Sequence, residues 1–318
     1  MRVAVDAMGG DYAPREVVRG AVEAINKLGI EVILVGDQEI VGRELSGLDY
    51  DRGKLTVVHS SQVIDMNEHP ALALRKKKDS SIVVATGLVK AGEAQAVVSC
   101  GNTGAQMAAG VFVLGTVAGV ERPAIAANIP LRSGQNTILL DIGANVDCKP
   151  RQLVQFALMG SAYASVVNGS SQPSVGLLSN GEEESKGNQA VLEAHAMLKK
   201  ETGINFIGNV EGRDIFVGKS EVVVCDGFVG NVVLKAVEGF MGLLMDTLKE
   251  ALSPEALWLL KSFDYNQVGG APLLGVNGVS IVCHGSSKAQ TVTNGVKAAV
   301  QCVENDMVGK LKRALGVD

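Results

Sequence analysis

The stretch Ser99-Cys100-Gly101-Asn102-Thr103-Gly104 lies between an apolar run, Ala96-Val97-Val98, and an uncharged run from Met107 to Val120. Strand, glycine-rich turn and helix in that order can hold a phosphate. Glycines let backbone N–H groups approach the anion, and the helix start adds unsatisfied donors at the positive end of its dipole. The same residues can also do no more than turn the chain, and they match neither GxGxxG nor GxxxxGK[ST]. Five further polar, glycine-bearing stretches follow apolar runs: Asp6 to Asp11, Asp141 to Asn145, Ser179 to Gly187, Asp226 to Asn231, and His284 to Ser287. One such loop is ordinary; six at strand ends suggest a shared crevice.

Each member carries a plain reading beside the chemical one. Asp6 and Asp226 can cap helices or brace turns. Glu182, Glu183 and Glu184 suit a helix start but would repel a phosphate beside them, so Lys186 must lie nearer any anion that this loop helps to hold. A metal held by the three glutamates lacks a matching Asp/His cluster in the sequence. Asn231 and Lys235, four apart, share a helix face and could meet a substrate. His284, between Cys283 and Gly285 and before a Ser-Ser helix start, is placed to donate a proton or a neutral hydrogen bond. His195, among Ala and Leu, reads as structural. Cys100 at a helix start invites a thiolate reading; a small buried residue filling space is the alternative, and Cys225 and Cys283 are read that way too.

These loops need a scaffold. Strand-like runs recur at 3–5, 32–35, 55–58, 96–98, 124–128, 137–140, 175–178, 206–210, 222–225 and 280–282. Helical patterns are expected from Pro14 to Leu28, ended by Gly29, and near 80–91, 104–114, 151–167, 188–200, 231–251 and 288–305. The alternation predicts an α/β protein with a mainly parallel sheet covered by helices, whose ligands bind beyond the carboxyl ends of the strands. No charge run or low-complexity linker marks a boundary, and there is no internal repeat. Arg122-Pro123 and Leu131 to Gln135 are expected to flank a hairpin joining two lobes. Residues 1–318 are read as one α/β/α catalytic unit, either undivided or in two lobes around a central cleft. The stretch 228–263, rich in Val, Leu, Phe and Met and holding Trp258, with Ser253-Pro254 as a break, is read as a helical element for a dimer interface or a membrane surface.

Composition narrows the function classes. Of 318 residues, 47% are hydrophobic and 20% charged, which describes a globular chain rather than a disordered one. Its 38 glycines and 4% aromatics suit close helix–sheet packing with many tight turns. A net charge of -5 argues against a general nucleic-acid binder. Arg75-Lys76-Lys77-Lys78 is the local exception, either a solvated helix end or a docking patch for an acidic partner. Five cysteines with no CxxC pair form neither a disulfide framework nor a zinc site and fit a reducing cytoplasm. The N-terminus reads as a strand without a signal-peptide pattern. The uncharged spans 94–120 and 152–181 are interrupted by polar turns and are read as buried elements of a soluble protein.

Taken in order over essentially the whole chain, several segments resemble the bacterial phosphate acyltransferases of phospholipid synthesis. They are Val5-Asp6-Ala7-Met8-Gly9-Gly10-Asp11 with Ala13-Pro14, Gly101-Asn102-Thr103-Gly104-Ala105, Asp141-Ile142-Gly143-Ala144-Asn145, Leu177 to Gly187, Glu211-Gly212-Arg213-Asp214, Asp226 to Asn231 and His284-Gly285-Ser286-Ser287. Cys100 departs from the family's usual alanine. The resemblance implies acyl transfer from acyl carrier protein to inorganic phosphate, giving acyl phosphate for a downstream glycerol-phosphate acyltransferase. It further implies a cytoplasmic homodimer at the inner face of the membrane, with no cofactor and no metal. The implied fold is a three-layer α/β/α one related to phosphotransacetylase and the isocitrate/isopropylmalate dehydrogenases. Asp226, Gly230, Asn231 and Lys235 also resemble a phosphotransacetylase D-x-x-x-G-N-x-x-x-K pattern. His284 stands where that family carries a catalytic arginine; its thiol base has no counterpart nearer than Gln290. The expected catalytic residues are therefore His284, Asn231, Asp226 and Lys186. Phosphate or substrate binding is expected at Asp6, Gly9, Gly10, Ser99, Gly101, Asn102, Thr103, Gly104, Asn145, Asn180 and Ser286, and carrier docking at Arg75, Lys76, Lys77 and Lys78. Two rival readings stand beside this one. A metal- and NAD-dependent decarboxylating dehydrogenase would need an Asp cluster and an arginine set that the sequence lacks. A non-enzymatic membrane scaffold for lipid-synthesis enzymes would rest on 228–263.

Overall fold

The computed structural model describes residues 1–248, 253 and 269–317. They form two compact units, one from residues 1–117 and 269–308, the other from 118–248, 253 and 309–317. Each unit is an α/β structure with its own stretch of mainly parallel sheet.

The strands of the first unit are β1 (Arg2–Asp6), β2 (Glu31–Gly36), β3 (Leu55–His59), β4 (Ala96–Ser99), β10 (Ala271–Leu274) and β11 (Val279–Val282). They lie in the order β3-β2-β1-β4-β11-β10, parallel except for the β10–β11 pair. The central strands are nearly continuous Val, Ile, Leu and Ala because both faces are covered. On one face Ala4, Ile33, Val35 and Val97 pack against α3 (Pro70–Lys76), α4 (Ser81–Lys90) and α5 (Thr103–Ala109). Val98, one residue on, points to the other face, where a Cβ on Gly295 would sit 3.4 Å from it. Gly295 belongs to α10 (Ala289–Glu304), which packs on α1 (Arg15–Leu28) closely enough that Gly20 has no room for a Cβ between Ala289 and Val292. α1 stops at Gly29, whose left-handed φ of 69° returns its N–H to the Ile25 carbonyl.

In the second unit the order is β5-β6-β9-β7-β8, with β5 (Ala124–Pro130), β6 (Asn136–Leu140), β7 (Ser174–Leu178), β8 (Asn205–Val210) and β9 (Val222–Val224). β5 and β6 form a hairpin in which Leu131 to Gln135, expected as a flank, is the turn itself, and the other pairs are parallel. Both hairpin strands belong to this unit. α6 (Pro150–Val167), α7 (Gln189–Leu198) and α8 (Asp214–Val217) accompany this sheet.

The helix expected over 104–114 continues from α5 as one wider turn, Gly110–Leu114. Sequence patterning missed α2 (Gln38–Leu45), α3, α8, β10 and α11 (Met307–Ala314). All are four to eight residues long, too short to show a period. The spans 94–120 and 152–181 are strand and helix elements, with twelve residues of α6 buried.

α9 (Gly227–Leu248) buries only Gly227 and Gly230. Phe228, Val232, Phe240 and Leu243 are more than half exposed. Among the described residues it is the one helix long and apolar enough to cross a membrane by length and composition. Residues 249–252 and 254–263 of the expected helical element, with Pro254 and Trp258, lie outside the described residues.

Candidate functional site

In the first unit three turns meet beyond the carboxyl ends of β1, β4 and β11. Asp11 N–H donates to the Gly285 carbonyl at 2.8 Å. A Cβ on Gly9 would lie 2.8 Å from the Gly101 nitrogen, and one on Gly10 would lie 3.1 Å from the carbonyls of Cys100 and Gly285. Gly10 also has a φ of 114°, which side chains rarely adopt. So Asp6, Gly9, Gly10, Ser99, Gly101, His284 and Ser286 come together. The glycines are there first because the turns pack on one another; Gly104 likewise faces the Pro70 ring.

Asp6 braces this cluster. It accepts from Ser99 Oγ at 2.7 Å and from Met8 N–H at 3.3 Å, while Ser99 Oγ accepts from Gly101 N–H at 3.0 Å. Burial pushes the Asp6 carboxyl above its ordinary value, against bonds from Ser81, Ser99, Met8 and Gly9 that favour its charge. Native protein therefore holds this proton to higher pH than unfolded chain does, and the contribution to stability, full below about 3.8, is lost as pH rises through the folded value. Asp6→Asn removes that loss. Denaturant titrations from pH 4 upward should show the variant gaining stability relative to the parent as pH rises; a constant difference would assign the slope to other groups.

Asn102 does not offer its side chain to an anion. Its Oδ1 caps α5 by accepting from Ala105 N–H, and its Nδ2 donates to the carbonyls of Asp65, Met66 and Glu68. What remains is the backbone: among the described residues the N–H groups of Asn102, Thr103 and Gly104 have no acceptor. His284 is exposed and its Nδ1 accepts from Ser286 N–H at 3.2 Å, with Ser286 Oγ at 2.7 Å. An accepting Nδ1 places the proton of the neutral ring on Nε2.

The second unit builds a similar device at the end of β6. Asp141 is fully buried and accepts from the N–H groups of Ile125, Gly143, Ala144 and Asn145 and from Asn145 Nδ2. Burial is the larger influence and raises its pKa. Asn145 is thereby a brace, its Nδ2 also donating to Pro123, and it accepts Gly227 N–H at 2.7 Å at the start of α9. Asn231 donates to the Ile142 carbonyl at 3.1 Å. Asp226 caps α9 by accepting from Val229 N–H at 2.8 Å. Asp141, absent from the expected site residues, is thus the hub of this turn; its place after an apolar strand and before Gly143 was the available signal.

Asp226 and Asn180 also line a cavity of about 540 Å³ at the carboxyl ends of β7 and β9, with Leu153, Leu178, Asn188, Val191 and Val229. Lys186 is exposed on the adjoining loop, its stem against Gly181. Lys235 is exposed, 4.0 Å from Glu238.

Other expected residues have plainer roles. Lys77 ties its ammonium to the Val63 carbonyl and to Glu68, both at 2.6 Å, so it drops out of the docking patch; Arg75, Lys76 and Lys78 stay exposed. Glu182 does find carboxylate partners, Glu211 and Asp214, a cluster hidden from the sequence by the fold. Lys219, 2.8 Å from Glu182 and 3.4 Å from Asp214, and Arg213 beside Glu211 already neutralise it. Gln290 bonds Asn294 and Lys27 at the surface. His195 is buried edge-on to Phe206. Cys100 and Cys283 are buried side by side, and the hydrogen bond with Cys100, then burial, pushes the Cys283 thiol up; burial does so first for Cys225, and its acidic neighbours add to it.

This fold is the one seen in phosphotransacetylases. A phosphotransacetylase from Streptococcus pyogenes superposes with a TM-score of 0.66 over 96% of this chain and 94% of its own, at 17% identity. A branched-chain phosphotransacylase from Enterococcus faecalis gives 0.62 over 95% and 99%, at 15% identity. At that identity the likeness defines an α/β protein of phosphotransacetylase-like fold and nothing finer. Sequence relatives are far nearer. The model of a family described as fatty acid synthesis protein matches residues 1–310. The phosphate acyltransferase of Syntrophomonas wolfei is 55% identical over 97% of this chain and 96% of its own length, and that of Pelotomaculum thermopropionicum 53% over 99% and 95%. The chain belongs to the phosphate acyltransferase family.

Proposed function

We propose that this protein transfers a long-chain acyl group from an acyl carrier protein thioester to inorganic phosphate, releasing acyl phosphate for phospholipid synthesis. A phosphate oxygen attacks the thioester carbonyl, the tetrahedral intermediate expels the carrier thiolate, and the C–S bond is exchanged for C–O. The observation that carries the reading is the glycine-turn cluster of the first unit, with the unpartnered N–H groups of Asn102, Thr103 and Gly104 at the start of α5. Neutral backbone donors orient an anion without cancelling the charge that makes it a nucleophile. The names of the 53–55% identical relatives support phosphate as the acceptor.

The oxyanion needs a donor, and we assign it to Nε2–H of His284, held in that tautomer by Ser286. A thiolate of ordinary pKa ~8.5 leaves without strong acid catalysis. Attack is direct, with no acyl-enzyme. Cys100 and Cys283 are buried, which supports this.

Purified protein should consume palmitoyl-carrier thioester only when phosphate is present, with the product trapped as a hydroxamate. Consumption without phosphate, or an acyl group retained on the protein, would sink the proposal. Arg75, Lys76 and Lys78 are the basic surface proposed for the acidic carrier; a carrier KM indifferent to reversing them moves docking elsewhere. The exposed apolar face of α9 is proposed as the contact of a homodimer that works at the inner face of the membrane. Monomeric sedimentation would remove that part alone.

A further inference from the structure

We propose that the second unit's cavity seats the alkyl chain of the acyl donor, and that Leu153, Leu178, Val191 and Val229 set the chain length accepted. This rests on the acyl-transfer reading and deepens it.

The cavity opens where ligands of parallel sheets bind, beyond the carboxyl ends of strands. Leu178 closes β7, and Cys225 follows β9 directly. Its volume of about 540 Å³ falls within the range of small-molecule sites. The lining is graded. Leu153, Leu178 and Cys225 are buried, and Val191 and Val229 half-buried, so the depth is apolar. Asn180 and Asn188 are exposed, so the mouth is polar. Asn188 already caps α7 by accepting from Val191 N–H at 3.0 Å, and Asp226 caps α9. Neither cap is therefore available as the sole reason for a polar ligand to enter.

Charge selects among apolar ligands. The Asp226 carboxylate lines the cavity, and the Cys225 thiol at its depth is kept neutral by burial. A free fatty carboxylate or a phosphate would meet a like charge and an apolar floor. A neutral thioester chain meets neither penalty. Each methylene that enters leaves water, so affinity should grow with chain length until the chain reaches the floor. Val191 stands on the first turn of α7 and packs its methyls on Gly187 at the wall. A larger side chain there shortens the space available to the chain.

Two measurements test this. First, Val191→Phe should lower kcat/KM for palmitoyl-carrier thioester at least tenfold and leave that for butyryl-carrier thioester within twofold. An equal loss for both donors, or no loss for either, overturns the assignment. Second, the parent protein in phosphate-free buffer is titrated with the decanoyl thioester of N-acetylcysteamine while the methyl resonances of Leu178, Val191 and Val229 are followed. Shifts at these methyls, with decanoate producing none at equal concentration, support the proposal. Unmoved methyls overturn it whether or not Val191→Phe folds. If the parent shows no phosphate-dependent turnover, acyl transfer fails, yet methyl shifts still report the chain site, so the two failures are distinguishable.

Discussion

His284→Ala is expected to lower kcat by about two to three orders of magnitude, the loss typical for removing one oxyanion donor. The KM for both phosphate and acyl donor should change by less than threefold, because the donor is needed where negative charge develops rather than in the ground state. The melting temperature should stay within a degree or two, since the ring is exposed. His284→Gln supplies an N–H from a different position and should restore part of kcat. Ser286→Ala separates the tautomer argument from the ring itself. It keeps the backbone N–H that donates to Nδ1 and removes only the hydroxyl, so it should cost less than His284→Ala. A thermal shift as large as that of a core variant, or a rise in phosphate KM with kcat intact, would make His284 a brace for the turn.

The sequence made the fold class and the turn positions legible, for a physical reason. Strands buried on both faces, such as 96–98 and 222–224, read as unbroken apolar runs, and the polar turns after them stand out sharply. What it hid is what each polar residue does inside its turn. Asn102 looked like an anion ligand, yet its amide is committed to three carbonyls from residues 65–68, a segment more than thirty residues earlier in the chain. Asp141 looked like one aspartate among several, yet its carboxylate gathers five N–H groups. Lys77 looked like one of four equivalent cations until its ammonium met Glu68. These roles depend on long-range partners, and no local pattern encodes them. The passage between units was hidden differently. Val117 donates to the Gly275 carbonyl and Thr116 bridges Val276, so this crossing lies in paired backbone, and Gly115 and Gly119 beside it read as turns within the fold rather than as a linker.

Gly230→Ala is expected to be the most damaging single-methyl change in the second unit. A Cβ at this position would collide with the Asp141 carbonyl oxygen and would lie 2.9 Å from its carbon and 3.0 Å from Cys225 Sγ. The carbonyl belongs to the backbone at the end of β6, where Asp141 N–H donates to Cys225 and Cys225 N–H returns to Leu140, so it cannot swing aside. Relief must come from moving α9 off the turn, which breaks the Asn231 bond to Ile142 and the Gly227 bond to Asn145. Overpacking of this kind costs typically 1–3 kcal/mol. With paired backbone as the nearest contact the upper end applies, about 3 kcal/mol or a fall in melting temperature of roughly 6–12 °C at 2–4 °C per kcal/mol. The same helix supplies the control. Gly239 and Gly242 have nothing within 4 Å of a built Cβ. Alanine at either should stabilise by up to about 1 kcal/mol through helix propensity alone. Propensity and collision thus predict opposite signs on one helix. If Gly230→Ala melts at or above the parent temperature alongside Gly239→Ala, the close approach of α9 to the Asp141 turn is wrong, and with it the placement of Asn231.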